Sequence, residues 1–470
     1  MDMKLIDVVK ACNGKLLYGD ENIACENFSK DTRTINKDDI YVGIKGENFD
    51  GNNLYKEAFE KGAKVCILQG IDENELMNLK NTYNDSAVVI VEDTIKALQE
   101  IASYKRSLYN IPVIAITGSV GKTSTKDIVS SVVGMKFKVH KTQGNLNNHI
   151  GVPLTLLQLK NHEALVVEMG MNNLGEIDVL TKIAKPNIAI ITNVGTAHIG
   201  NLGSRENIRK AKLEIINGLE AGGTLVINND NDMLHDWYEN IYKVECETTY
   251  KNIKIATYGI DNSSDIMPKN VDLQADSSTF TIEYNGVESK IEVPVGGLHF
   301  VYNALCAITV GKLLNESIEE IAKGILKFEL SKSRMELIKL SNGATLINDC
   351  YNANYDSMKA GLDYLSKTAK QRKIAVLGDM LELGEYSEEL HRKVGEEVNN
   401  NQIDVLITVG EMGKVIAAEA SKKCPEVKSF MNNSDAIEYL FGILKSDDTI
   451  LVKASNGMRF KEIVEAFSKI

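Results

Sequence analysis

The chain has no CxxC pair. Its seven cysteines, Cys12, Cys25, Cys66, Cys246, Cys306, Cys350 and Cys424, are scattered and odd in number, which argues against a disulfide framework or a structural zinc and fits a reducing compartment. No apolar run approaches the ~18 residues that span a bilayer, and the start Met1-Asp2-Met3 lacks the basic and apolar regions of a signal peptide. A cytoplasmic protein with no membrane insertion is expected. An excess of basic charge is missing too: 53 Lys and Arg face 65 Asp and Glu, for a formal net charge of −12. That balance favours solubility and opposes non-specific binding to nucleic acid or anionic lipid, so a polyanionic substrate must be met by a local basic site. No repeat of roughly 20–50 residues and no low-complexity segment is present, which sets aside solenoids and disordered tails.

What is there is an α/β pattern. With 470 residues and 43% hydrophobic content, the chain exceeds one ordinary core, and a prior of about 100–200 residues per domain suggests three. Short β-rich runs (40–44, 64–68, 87–91) alternate with amphipathic stretches in a small first domain, 1–110. After a charged helical stretch near 97–108, Pro112 opens the apolar strand 113–117 and a second domain, 111–330. There the buried-strand candidates 165–167, 188–191 and 225–227 alternate with helices, as in a mostly parallel sheet with helices on both faces. Alternation in 279–284 followed by Asn285-Gly286 predicts an antiparallel hairpin elaborating that domain's edge, and helices are expected near 302–314 and 318–327. Beyond Arg334 the pattern restarts, with strands near 345–347, 373–377, 405–409 and 449–453, predicting a Rossmann-like third domain, 331–470.

The run Ile116-Thr117-Gly118-Ser119-Val120-Gly121-Lys122-Thr123-Ser124-Thr125 follows a strand and opens a helix. Glycines there let backbone N–H groups approach phosphate oxygens, Lys122 adds charge, and Thr123 places a hydroxyl on magnesium. The usual first glycine of such loops is replaced by Ile116, leaving the tighter spacing GxxGKT. Glu168 ends the strand 165–167 and so stands at the carboxyl edge of the sheet, where ligands bind; the bland alternative is a solvated strand-end charge. His198, in the polar cluster after strand 188–191, is either a magnesium or phosphate partner or a structural histidine. On a helix, Lys210 lies beside Glu206 and Glu214, whereas Lys212 shares a face with Ile208, Ile215 and Ile216. A lysine on an apolar face is paired, neutralised or modified, or else it snorkels. Asn303 opens a helix in Gly297-Leu298-His299-Phe300-Val301-Tyr302-Asn303. Arg334, Asp349 and Tyr351 follow with the chemistry for phosphate charge, ribose hydroxyls and base stacking.

These motifs together resemble the Mur ligase family, over nearly the whole chain. Asp31-Thr32-Arg33 and Gly46-Glu47-Asn48-Phe49-Asp50-Gly51 look like the family's uridine-nucleotide domain. The runs from Gly144 to Thr155, Tyr351 to Asn354 and Leu377 to Gly384 are similar to the branch that adds a dipeptide. The resemblance implies that ATP phosphates lie on Gly118, Ser119, Val120, Gly121, Lys122, Thr123 and Ser124. It implies two magnesium ions held with Thr123, Glu168, His198 and Lys212, the last as a carbamate. Asn303 would contact adenine, Arg334 the γ-phosphate, and Asp349 and Tyr351 ribose and base. Substrate contacts are expected from Thr32, Arg33, Gly46, Phe49, Asp50, Asn145, Asn148, Asn352 and Asn354.

The implied reaction joins D-alanyl-D-alanine to UDP-N-acetylmuramoyl-tripeptide through an acyl phosphate, in a monomer that closes its third domain over the second. The chain departs from the family pattern in three places: Lys453-Ala454-Ser455-Asn456-Gly457 replaces a Lys-Gly-Ser-Arg-Gly run, Tyr355 replaces a proline, and His149 an acid. Two alternatives are the sibling that adds the third amino acid, whose Asx-x-Pro-Arg signature is absent, and a non-catalytic nucleotide-binding protein of the same fold.

Overall fold

The computed structural model describes residues 3–246, 248–250 and 252–468. Its first sheet runs in the order Lys15–Tyr18, Ala87–Ile90, Val65–Leu68, Ile40–Val42, Phe28–Ser29. Only Lys15–Tyr18 is antiparallel to its neighbour. The central strand is buried at all four positions, as expected when β-branched and apolar residues must be covered on both faces. Helix Thr94–Ser107, capped by Asp93 through the amides of Ile95 and Lys96, leads out of this unit and packs on helices Gly151–Leu157 and Glu176–Ala184.

The second sheet is six-stranded and wholly parallel, in the order Lys254–Tyr258, Thr224–Asn228, Ile188–Ile191, Val113–Thr117, Ala164–Glu168, Val139–Lys141. Its apolar runs are buried along their whole length, Val113–Thr117 at every residue. From that strand the chain first reaches the edge at Val139–Lys141, returns to place Ala164–Glu168 between the two, and then crosses to Ile188–Ile191 on the other side. The order therefore reverses at the middle of the sheet, where the carboxyl ends of three adjacent strands face one crevice.

The predicted hairpin forms, turning at Asn285 and Gly286, both at positive φ. It does not extend the edge of the parallel sheet, however. Ser278–Tyr284 pairs with Pro268–Leu273 and Val287–Val293 in a sheet of its own. The reason is its alternation: Phe280, Ile282 and Tyr284 are buried on one face, and helices Leu298–Leu313 and Ile318–Leu326 supply the cover. The second of these helices starts with a reciprocal cap between Ser317 and Glu320.

The fourth sheet runs Glu336–Lys339, Thr345–Asn348, Thr449–Lys453, Lys373–Gly378, Val405–Val409, Glu426–Phe430, with only the first strand antiparallel. Sequence reasoning missed both edge strands, which are half-exposed and carry charge. This unit lies against the second: Tyr364 donates its hydroxyl proton to Ala275 O at 2.7 Å, and Ser331 Oγ donates to Asp127 at 2.6 Å. Among the described residues no helix is long and apolar enough to cross a membrane.

Candidate active site

Strand Val113–Thr117 delivers residues 118–121 to the carboxyl edge of the second sheet, and helix Lys122–Val133 starts directly after them. Gly118 is required by a close approach, since a Cβ there would stand 1.8 Å from Thr192 Oγ1, and Gly121 has a left-handed φ of 83°. The neighbouring strand braces the loop. Ser119 N donates to Asn193 O at 3.1 Å and Val120 N to Asn193 Oδ1 at 2.9 Å, while Thr192 Oγ1 donates to Val120 O at 2.6 Å. Gly195 N donates to Ser119 Oγ at 2.9 Å. Backbone amides of the helix start are thereby pre-set for anions. The Lys122 ammonium donates to Gly118 O at 2.7 Å. Burial pushes its pKa down; Glu168 opposes that and Arg334 adds to it.

Glu168 is 2% exposed. Its two oxygens are divided between the hydroxyl of Thr123 at 3.0 Å and the amide of Asn147 at 2.9 Å. Asn147 is the residue that sequence reading missed. In the same run Asn145 is exposed, and Asn148 accepts from Ile150 N and Gly151 N to start helix Gly151–Leu157. Only a loop conformation decides which of these asparagines reaches the carboxylate.

Lys212, on helix Arg205–Leu213, is 1% exposed, and Lys210 is exposed, as the helical spacing predicts. Among the described residues Lys212 has no ion pair and no hydrogen bond, and burial, reinforced by the charge of Lys122, pushes its amine far below the usual lysine range. His198 takes a left-handed φ of 63°. Its Nδ1 stands 2.7 Å from a Glu382 carboxylate oxygen of the third unit, off the axis of a hydrogen bond, and it does not line the crevice that opens over the phosphate loop.

That crevice lies between the second and third units. It is walled by residues 119–124, Asn193, Tyr302 and Asn303 on one side and by Arg334, Asp349, Asn352, Asn354 and Lys453 on the other. Asn303 Oδ1 accepts from Thr125 Oγ1 at 3.1 Å. Arg334 reaches across to within 3.5 Å of Thr123 Oγ1. Its guanidinium lies 4.0 Å from the ring centroid of Tyr351, so that ring carries the arginine instead of walling the crevice. Asp349 pairs with Lys453 at 2.5 Å, and Lys453 also donates to Asn352 O at 3.1 Å. Lys453 is 1% exposed; its signal was a charge ending an apolar strand, as with Glu168. Asn354 caps helix Tyr355–Thr368 by accepting from Ser357 N at 2.9 Å.

The first-domain candidates form a separate group and do not wall this crevice. Thr32 Oγ1 donates to Glu57 at 2.9 Å, and Arg33 pairs with Asp31 at 2.6 Å. Gly46 N donates to Phe49 O at 2.8 Å, Asp50 accepts from Asn52 N at 2.9 Å, and the Phe49 ring is 61% exposed. Among the described residues no group of three or more His, Cys, Asp and Glu side chains converges to hold a metal ion.

A phosphate loop on a parallel sheet, faced by an arginine and an aspartate from a second α/β unit, defines an enzyme that uses a nucleoside triphosphate. Two family models match: the Mur ligase middle domain over residues 116–311, and the Mur ligase, glutamate ligase domain over residues 333–456. The UDP-N-acetylmuramoyl-tripeptide–D-alanyl-D-alanine ligase of Bacillus subtilis is 38% identical, covering 95% of this chain and 93% of its own. A crystal structure of MurF from Acinetobacter baumannii superposes with a TM-score of 0.88 at 28% identity, covering 100% of this chain and 99% of its own. The MurF ligase of Thermotoga maritima in complex with ADP does so at 0.80 and 25% identity, covering 94% and 97%. The chain belongs to the Mur ligase family.

Proposed function

We propose that this chain is the ATP-dependent ligase that joins D-alanyl-D-alanine to UDP-N-acetylmuramoyl-tripeptide, acting as a cytoplasmic monomer in peptidoglycan precursor synthesis. The observation that carries the reading is Glu168, held between Thr123 of the phosphate loop and Asn147, in a chain aligned with such ligases over nearly all its length.

ATP phosphorylates the terminal carboxylate of the tripeptide, giving an acyl phosphate and ADP; the dipeptide's free amine attacks the acyl carbon and phosphate leaves. Little covalent work falls to the protein, whose part is positioning and charge. The amides of residues 121–123 at the helix start and the Lys122 ammonium take the β- and γ-phosphate oxygens, while Ser119 and Val120, whose own N–H groups are held by Asn193, shape the loop around them. Arg334, stacked on Tyr351, meets the γ-phosphate from the other wall. Asn303 serves adenine and Asp349 ribose. Thr32, Arg33, Gly46, Phe49 and Asp50 receive the uridine nucleotide, and Asn352 and Asn354 face the peptide end.

Thr123 Oγ1 and Glu168 offer hard oxygen donors 3.0 Å apart, which fits one Mg²⁺ whose other ligands are phosphate and water. A second ion needs a further anionic ligand near the loop. Lys212, buried without a partner, fits carbamylation, and His198 lies on the segment leading to it. Bound magnesium supplies charge compensation for the phosphoryl oxygens.

The test is phosphate release from ATP with purified UDP-N-acetylmuramoyl-tripeptide, comparing D-alanyl-D-alanine with single amino acids. Release only with the dipeptide supports the assignment. Release with a single dibasic amino acid and a shorter UDP-linked precursor, and none with the dipeptide, replaces it with the sibling reaction.

A further inference from the structure

We infer that Asp356 is a positioning residue for this reaction: its carboxylate clamps the third domain onto Thr196 and through that contact holds the phosphate loop in its working geometry. The inference deepens the ligase reading above and rests on it.

Asp356 is in the first turn of helix Tyr355–Thr368. An acid there has an ordinary use in offsetting the helix dipole, but this carboxylate points away from its own helix. Oδ2 accepts from Thr196 N at 2.8 Å and from Thr196 Oγ1 at 2.9 Å. The approach is so close that a Cβ on Gly195 would stand 2.3 Å from the same oxygen. On the other side of that peptide, Gly195 N donates to Ser119 Oγ at 2.9 Å, and two residues earlier Asn193 holds Val120 N at 2.9 Å. One short segment thus receives the third domain at Thr196 and braces the phosphate loop at residues 193 and 195.

The rest of the segment is gripped as well: Gly200 N donates to Glu382 O at 3.2 Å and Tyr386 Oη to Gly203 O at 2.6 Å. Those two bonds are made by neutral groups, and the Glu382 carboxylate 2.7 Å from His198 Nδ1 is off the axis of a hydrogen bond, whereas Asp356 brings a charged acceptor to a backbone amide and a hydroxyl, the stronger kind of bond. Arg205, which donates to Val194 O at 2.8 Å, feels the Asp356 charge. Arg334 belongs to the same domain as Asp356, so loss of the clamp withdraws the guanidinium from Thr123 and loosens Ser119 together. Displacements near 1 Å at a phosphoryl-transfer site cost about 100-fold in rate.

The test compares full-length wild type with Asp356→Ala, Asp356→Asn and Thr196→Val. Phosphate release gives kcat and KM, titration gives ADP affinity, thermal melting reports folding, and small-angle scattering with ADP and the UDP-linked tripeptide reports closure. Asp356→Ala should lower kcat about 10- to 100-fold with KM and ADP affinity within ~3-fold, and show a larger radius of gyration than wild type when both ligands are bound. Asp356→Asn keeps an acceptor oxygen and should recover kcat to within ~5-fold of wild type, while Thr196→Val, losing one bond of two, should fall between. Wild-type kcat in Asp356→Ala overturns the proposal, as does a loss of kcat with undiminished closure, or an Asp356→Asn variant no better than the alanine. If wild type releases no phosphate with the dipeptide, the ligase reading fails, and the scattering comparison still decides the clamp.

Discussion

Glu316 is a carboxyl group the fold would hold more easily without its charge. It occupies the turn between helices Leu298–Leu313 and Ile318–Leu326, is 2% exposed, and has neither side-chain oxygen hydrogen-bonded. Burial raises its pKa from the ordinary 4.5 to about 7; Glu320 adds to the rise and Lys136 works against it. An acid with a raised folded-state pKa leaves stability intact below the unfolded value. Stability is lost as pH climbs from 4.5 toward 7, because the unfolded chain ionises first, and the loss is complete above 7. At ~1.4 kcal/mol per pH unit of separation, this amounts to about 3 kcal/mol. Glu316→Gln removes the titration. The variant should match wild type near pH 4.5 and exceed it by about 3 kcal/mol at pH 8, or roughly 6–12 °C in Tm for a unit of this size. Thermal melts at half-unit pH steps measure the difference. A pH-independent gap between the two proteins, or a variant less stable than wild type at pH 8, refutes the reasoning.

Lys122→Ala removes the loop's ammonium and should cut phosphate release by about 10³-fold, with the melting temperature little changed; both are read on the same preparation. Asn147→Ala frees one oxygen of Glu168, and phosphate release titrated against magnesium should show about 10- to 100-fold weaker metal dependence, as for loss of an outer-shell partner. Lys453→Ala strands the Asp349 carboxylate, which is itself only 8% exposed, and should cost about 3–5 kcal/mol in urea unfolding of the third domain. A loss under ~1 kcal/mol would mean that water solvates Asp349 there.

Wherever local chemistry was enough, the sequence could be read directly. Strands Val113–Thr117 and Ile188–Ile191 have the bounds their apolar runs predicted, because a strand buried on both faces leaves little room for polar residues. Helical periodicity alone separated the buried Lys212 from the exposed Lys210. Edge strands were invisible, since one exposed side lets charged residues in and the alternation fades.

The composition of the crevice was legible in part and its wiring was not. Gly118 to Thr123 announced themselves by spacing after a strand. By contrast, the choice of Asn147 over Asn145 and Asn148, the stacking of Tyr351 on Arg334, the pairing of Asp349 with Lys453, and the contacts of His198 and Asp356 all join residues remote in sequence or aimed by loops. What the sequence by itself determined is the set of elements and the phosphate loop, because hydrophobic period and glycine geometry act over a few residues. Only the tertiary structure decided which side chains meet across the crevice, because those contacts depend on how two separately built sheets pack against each other.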